Sequence, residues 1–256
     1  MDAFYRLAIP AVVTTCGEWW AYEALSLLAS FFGAEQLAAQ AIIINIISLS
    51  CQIPNAMGFT STPRIGNLLG GGHARKARIS AHVITVMTII VGSATTVSFV
   101  VWRQWWGETY TNDPDVLRTV VDLMPVAGVF LTCNGLNQVF AAILRGLGRQ
   151  KLGAYVVVPS FNFVGLPLSV LLAFGPWRME IAGLWWGTCV GTVVSALVQL
   201  IIIIYFTDWE KEVERCLRRL IASGPSSGAL SLPDNGCETP VAEDLALSRG
   251  GYGSLA

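Results

Sequence analysis

Two carboxylates, Glu18 and Glu23, stand in a segment that is otherwise apolar between Arg6 and Glu35. A charged acidic side chain near the centre of a bilayer costs ~2.5–3.5 kcal/mol even on insertion scales. Stability does not explain such a cost, whereas binding a proton or a cation does. The sequence therefore predicts that Glu18, together with Glu23, is a proton- or cation-coupling group.

Three aromatic residues, Trp19, Trp20 and Tyr22, accompany these carboxylates along the chain. They lie deep for the aromatic belt that marks a membrane–water interface. Two interpretations are open: apolar packing, or walls beside a bound cation, since Trp offers the best cation–π face. All three residues are therefore candidates for lining a substrate site.

A second polar group lies in the fourth apolar run and consists of the amides Asn134, Asn137 and Gln138. Asn134 and Gln138 are four residues apart and so share one face of a helix. Amides inside a membrane span either hold helices together or line a polar cavity. Both uses are open, and the three amides are candidates for substrate contact.

The segments that carry these residues are long and mostly apolar. The chain is 54% hydrophobic and 13% charged, whereas a soluble domain carries about 25% charged residues. Unbroken apolar runs of this length predict membrane helices rather than the strands of a barrel. We expect an all-α, polytopic membrane protein, a six-transmembrane-helix bundle with spans at about 7–32, 36–62, 79–102, 116–144, 152–175 and 181–207.

Proline and glycine predict where these helices deviate from a regular course. Pro54 should kink the second helix, and Pro159 should make the fifth irregular, because proline removes a helical hydrogen bond. The sixth span carries Gly183, Gly187 and Gly191 at a spacing of four residues. Such a ridge of small residues predicts close contact with another helix.

The Lys and Arg residues concentrate on alternate connections between the spans, at Arg6, 64–78, 145–151 and 211–219. This alternation predicts that both termini are cytoplasmic, in a plasma membrane or a vacuolar membrane. Residues 1–208 would form the six-helix lobe, and residues 209–222 a short charged cytoplasmic helix. Residues 223–256 are rich in Gly, Ser and Pro and are expected to be a disordered tail.

Several other chemistries are not expected. The glycines at 70–72 follow no strand and lack a GK[ST] sequence, so they predict a turn after a helix ending near Thr62 rather than a nucleotide site. His73 and His82 have no partners at metal-ligand spacing, so no metal site is predicted. The spans show no Asp dyad, HExxH or Ser–His pattern of a membrane enzyme, and no nucleic-acid partner is expected.

Four segments resemble, in the order found there, the eukaryotic branch of the multidrug and toxin extrusion (MATE) transporter family. The first, residues 18–23, resembles the family's seventh-helix motif and reads Glu-Trp-Trp-Ala-Tyr-Glu. The second, residues 64–72, resembles a glycine-rich turn and reads Arg-Ile-Gly-Asn-Leu-Leu-Gly-Gly-Gly. The third, residues 144–154 with 164–167, resembles helices ten to eleven, and the fourth, residues 207–211, the segment after helix twelve.

The resemblance implies that the chain is the C-terminal lobe of a twelve-helix fold. The implied function is secondary antiport, in which organic cations and other xenobiotics leave in exchange for H⁺ or Na⁺, with no cofactor beyond that ion. Family members usually carry Asp or Glu where this chain has Asn134, and an amide cannot carry a proton. Glu18, with Glu23, would then have to act alone.

The resemblance also implies the partners. They are a small organic substrate, the lipid bilayer, and either a separate N-terminal lobe or a second copy of this chain. The alternative is a truncated, non-transporting remnant or partner subunit without independent activity.

Overall fold

The computed structural model describes residues 12, 16–17, 19–20, 22–176 and 178–222. Within these residues every regular element is helical, which confirms the all-α prediction. The helices are α1 Tyr22–Phe32, α2 Ala34–Ser50, α3 Gln52–Gly70, α4 Ala74–Val101, α5 Arg103–Glu108, α6 Pro114–Gly146, α7 Gln150–Pro159, α8 Leu166–Phe174, α9 Glu180–Tyr205 and α10 Trp209–Ala222.

Five helical stretches of the described chain are long and apolar enough to cross a membrane. They are α2 with α3, α4, α6, α7 through α8, and α9. Helix α1 is apolar but shorter as described, because ten of the 26 residues in the predicted span 7–32, all before Tyr22, lie outside the described residues. The predicted tail at 223–256 also lies outside them.

Helix α6 is the centre of the bundle. Asp113 caps it by accepting a hydrogen bond of 3.0 Å from the Asp115 amide, and Pro114 occupies the first turn, where a missing N–H costs nothing. The helix packs against α2, α3, α4, α5, α7 and α9. One buried cluster surrounds Phe130 and Trp185 near its middle, and a second surrounds Leu144 at its end.

The break in the second predicted span comes earlier than expected. It falls at Cys51, between α2 and α3, and not at Pro54 itself. Proline has no N–H to donate to the carbonyl four residues before it, which here belongs to Ser50. Only the bond to the Ser50 carbonyl is removed, since Cys51 still donates to Ile47 at 2.8 Å and Asn55 to Cys51 at 3.0 Å.

The end of the same span was predicted at Thr62, and this boundary was wrong. Helix α3 continues through Pro63 to Gly70. Its last turns are held by Ile65 and Leu69, which are 0% and 2% exposed in the cluster at the end of α6. The chain reverses only at Gly71–His73, where Gly72 takes a φ of 77°.

The predicted irregularity of the fifth span takes the form of a π-helical segment, Ser160–Gly165, which joins α7 to α8 directly after Pro159. Beside it runs the glycine ridge of α9. A Cβ on Gly187 would lie 2.2 Å from the Ser169 amide nitrogen, and one on Gly191 would lie 2.7 Å from the Gly165 Cα. Only glycine allows the two backbones to approach this closely.

Three connections rich in Lys and Arg meet at one end of the bundle, which we call the basic end. Glu212 of α10 is 3% exposed and forms ion pairs with Arg149, in the α6–α7 turn, and with Arg215 at 2.6 Å. Arg149 also donates to the Phe206 carbonyl at 3.0 Å. Helix α10 itself packs against α3 and α4. It therefore connects these two helices to the α6–α7 turn at the basic end.

Candidate functional site

A cavity of about 380 Å³, which we call the polar cavity, opens on one side of α6. Its walls come from α1, α2, α3 and α6, with one side chain from α9. The lining residues are Trp19, Tyr22, Glu23, Ser26, Ile44, Ile47, Ser48, Cys51, Asn55, Phe59, Asn134, Gln138, Arg145 and Trp185.

Helix α6 contributes one polar stripe to this cavity. Asn134, Gln138 and Arg145 follow at intervals of four and seven residues, which places them on the same helical face. Asn134 is 8% exposed, and Gln138 is half-buried. Between Asn134 and Arg145 the helix advances roughly 16 Å, so the stripe runs from the middle of the bundle to its basic end.

Aromatic rings form the apolar part of the wall and continue into the core. Tyr22 meets Phe130 edge to face at 6.4 Å, and Phe130 meets Trp185 in the same way at 5.4 Å. The indole of Trp185 is 1% exposed and donates to Gln40 Oε1 at 2.8 Å. Because Trp185 is held by both contacts, this wall has a defined shape before any ligand enters.

Opposite charges line the described part of the cavity. Glu23 of α1 brings a carboxylate, and Arg145 of α6 brings a guanidinium. Both side chains are exposed to solvent. The described lining of the cavity is therefore polarised along its length rather than uniformly acidic, with its negative charge at Glu23.

Five of the predicted site residues meet in this cavity, namely Trp19, Tyr22, Glu23, Asn134 and Gln138. Glu18, the residue on which the sequence argument rests, lies outside the described residues. Its immediate neighbours in sequence, Trp19 and Gly17, are described.

Trp20 was predicted to line the substrate site, but it is not among the residues that line the polar cavity. Its side chain is 73% exposed, and it is absent from the lining of the cavity that Trp19 enters. Consecutive helical residues point about 100° apart, so Trp20 faces a different direction from Trp19. Trp20 lies on the outer surface of the described bundle.

Asn137 was also a candidate for substrate contact, but it holds helices together. Its Oδ1 accepts hydrogen bonds from Ser195 Oγ at 2.7 Å and from Gln199 Nε2 at 2.5 Å, and the side chain is 1% exposed. This buried cluster joins α6 to α9. The two open uses of the amides are therefore divided: Asn134 and Gln138 line the cavity, whereas Asn137 is structural.

Four polar side chains of the cavity were not predicted as site residues, namely Ser26, Ser48, Asn55 and Arg145. Arg145 was interpreted only as one of the cations that orient the chain, and Asn55 is the neighbour of Pro54, where a kink was predicted. The available signal for Arg145 was its spacing of seven residues from Gln138, which places both on one face. Asn55 follows the break at Cys51, and its position depends on that break.

The sequence model of the MatE family matches residues 10–171, so the chain belongs to that family of transporters. It is 31% identical over 246 residues to human multidrug and toxin extrusion protein 1, covering 95% of this chain and 43% of that protein. It is 34% identical over 209 residues to DETOXIFICATION 55 of Arabidopsis thaliana, covering 81% and 41%. The chain thus spans less than half the length of these relatives.

Solved structures agree with the fold. The eukaryotic MATE transporter AtDTX14 superposes with a TM-score of 0.76 at 29% identity, over 86% of this chain and 49% of that one. The MATE transporter VcmN of Vibrio cholerae superposes with a TM-score of 0.72 at 17% identity, over 85% and 47%. The prediction of one MATE lobe is confirmed at the level of family and fold.

Proposed function

We propose that the chain acts as the C-terminal lobe of a secondary antiporter that exports organic cations and other xenobiotics in exchange for H⁺ or Na⁺. The observation that carries this proposal is the polar cavity, where the Glu23 carboxylate, aromatic faces and neutral amides converge inside a membrane bundle of the MatE family. The orientation proposed with it has both termini in the cytoplasm, in a plasma or vacuolar membrane.

The proposed exchange follows from the chemistry of a carboxyl group in a medium of low polarity. Burial favours the neutral, protonated carboxyl, whereas an approaching cation favours the charged form. A cationic substrate that enters the cavity would therefore expel the proton from Glu18. Protonation from the opposite side of the membrane would then release the substrate.

The other lining residues have distinct proposed roles. Trp19 and Tyr22 offer ring faces to an organic cation, and Asn134 and Gln138 offer neutral hydrogen bonds. Arg145 places positive charge at the basic end of the cavity, which opposes binding of a cation there. A substrate would thus be held toward the Glu23 end.

Alternation between the two sides of the membrane needs a second set of helices against the cavity, because such sites lie between two lobes that rock against each other. We propose that a separate N-terminal lobe or a second copy of this chain supplies it. A chain without either would be a subunit with no transport of its own.

The test uses the chain reconstituted into proton-loaded vesicles together with an N-terminal lobe from a family member, with tetraethylammonium as the probe cation. Glu18→Gln is expected to abolish proton-driven exchange, and Glu23→Gln to reduce it. Glu35→Gln is the matched control, because Glu35 is an exposed carboxylate outside the cavity lining. If Glu18→Gln and Glu23→Gln both exchange at the wild-type rate with the same pH dependence, these carboxylates do not couple transport.

The same vesicles test the need for a second lobe. The chain alone, as a species of monomer mass, is expected to show no exchange. Exchange by a dimer would identify a second copy as the partner, and exchange only after addition of the other lobe would identify that lobe. Robust exchange by the monomer would contradict the requirement.

A further inference from the structure

A second groove lies between α3 and α4, away from the polar cavity. It consists of two adjoining cavities of about 540 Å³ and about 290 Å³ that share Arg64, Ile79 and Ser80. None of the residues that line it also lines the polar cavity. It begins at the basic end of the bundle and continues along the apolar part of α4.

The end of the groove at the basic end is cationic. Arg64 of α3 and Lys76 of α4 line the same cavity, and both side chains are exposed. Arg64 Nε donates to Ser80 Oγ at 3.3 Å, which orients the guanidinium toward α4. Among the described lining residues there is no Asp or Glu, and the ion pairs of the described chain involve neither cation. This end is suited to an anion.

The rest of the groove is apolar. Ile79, Val83 and Met87 follow at intervals of four residues on one face of α4, and each is about half exposed, at 51%, 51% and 50%. From Ile79 to Met87 the helix advances roughly 12 Å. This stretch lies in a helix that is apolar and long enough to cross a membrane, so the wall extends from the cations into the hydrocarbon.

We propose that this groove binds one anionic phospholipid, with its phosphate between Arg64 and Lys76 and an acyl chain along Ile79, Val83 and Met87. A neutral lipid would leave the two cations without a counter-charge. A free phosphate would leave the apolar wall unused. An anionic lipid satisfies both ends at once, because its negative charge and its apolar chain belong to one molecule.

The experiment is native mass spectrometry of the full chain in detergent, titrated with phosphatidylserine and, separately, with phosphatidylcholine of the same chains. Wild type is expected to retain one phosphatidylserine in preference to phosphatidylcholine. R64Q/K76Q is expected to weaken phosphatidylserine binding by about 25-fold, from about fivefold for each basic residue near a membrane surface. K151Q/R218Q is the matched control, because both residues are exposed near the basic end but outside the groove.

A second variant tests the apolar part with the cations intact. Val83→Trp fills the groove and is expected to lower phosphatidylserine binding at least tenfold, while R64K/K76R keeps the charges and the binding. The proposal is overturned if R64Q/K76Q binds phosphatidylserine as wild type does, or if K151Q/R218Q loses as much. It is also overturned if millimolar inorganic phosphate displaces the lipid from wild type, or if Val83→Trp, eluting as wild type does on gel filtration, binds it unchanged.

Discussion

The glycine ridge of α9 gives a prediction whose size can be worked from the structure. A Cβ added to Gly187 would lie 2.2 Å from the Ser169 nitrogen, 2.4 Å from its Cα and 2.5 Å from its Oγ. Ordinary van der Waals contact begins near 3.4 Å. In Gly187→Ala, α8 and α9 must therefore separate by about 1 Å, since no flexible side-chain end can move instead.

Two costs follow from this separation. Overpacking of a well-packed contact costs about 1–3 kcal/mol. The Ser169 hydroxyl, which donates to the Leu184 carbonyl across the two helices at 2.8 Å, would also lose its geometry. An interhelical hydrogen bond in a membrane protein is worth about 0.6 kcal/mol. Together these terms give a loss of roughly 2–4 kcal/mol of stability.

The assay is thermal unfolding of the purified chain in detergent, followed by a dye that reacts with newly exposed cysteine thiols. Gly187→Ala is expected to lower the melting temperature by roughly 5–15 °C. Gly153→Ala is the matched control, because a Cβ there meets only Leu144 Cδ1, at 3.9 Å, and alanine favours a helix. Equal melting of wild type and Gly187→Ala, or an equal loss in Gly153→Ala, would refute the reasoning.

Three further predictions follow from the charges and amides. A glycosylation tag in the 70–75 turn should stay unmodified and one in the 105–113 loop should be modified, and the reverse result would exclude the cytoplasmic orientation of the basic end. Asn134→Asp should raise proton-driven exchange of an organic cation or steepen its pH response in the two-lobe vesicles; no change in either would mean that the amide belongs to the site as it stands. The hydrogen-bonded ion pair at the start of α10 holds the pKa of Asp208 below, and that of Lys211 above, its ordinary value. Its stabilisation should therefore be present at neutral pH and fade as the pH falls through the Asp208 pKa or rises through that of Lys211; Asp208→Asn should remove the acid limb in amide hydrogen exchange, and an unchanged acid limb would exclude this pair as its source.

Much of the bundle could be predicted from hydropathy and small residues. The charge-free runs correspond to the long helices α4, α6 and α9, and the spacing of the α9 glycines predicted their contact with the neighbouring helix. These features are local: length, apolar character and a repeat of four residues are properties of a single helix. The ends of the helices were harder to predict from the sequence. Helix α3, for example, is extended past Thr62 because Ile65 and Leu69 pack against a distant part of the chain.

The lining of the cavity could be predicted only in part, for a geometric reason. Spacing fixes the angle between two residues on a helix, so Asn134 and Gln138 were correctly placed on one face. Spacing does not say which face turns toward which neighbour, so Asn137 could not be assigned to α9 from its position alone. The same limit applied to Trp19 and Trp20, where only the structure tells which of the two side chains lines the cavity.

The ion pair between Arg149 and Glu212 has a consequence for biosynthesis. The ribosome makes Arg149 well before Glu212, so the α6–α7 turn is inserted while its carboxylate partner is still untranslated. During that interval an arginine that is 18% exposed in the finished fold has no counter-charge from α10, and the basic end stays open to chaperones and proteases. A fluorescent domain inserted between α9 and α10 should lengthen this interval and lower the yield of mature protein. The same domain placed after Ala222 should not, because α10 can then dock as soon as it leaves the ribosome.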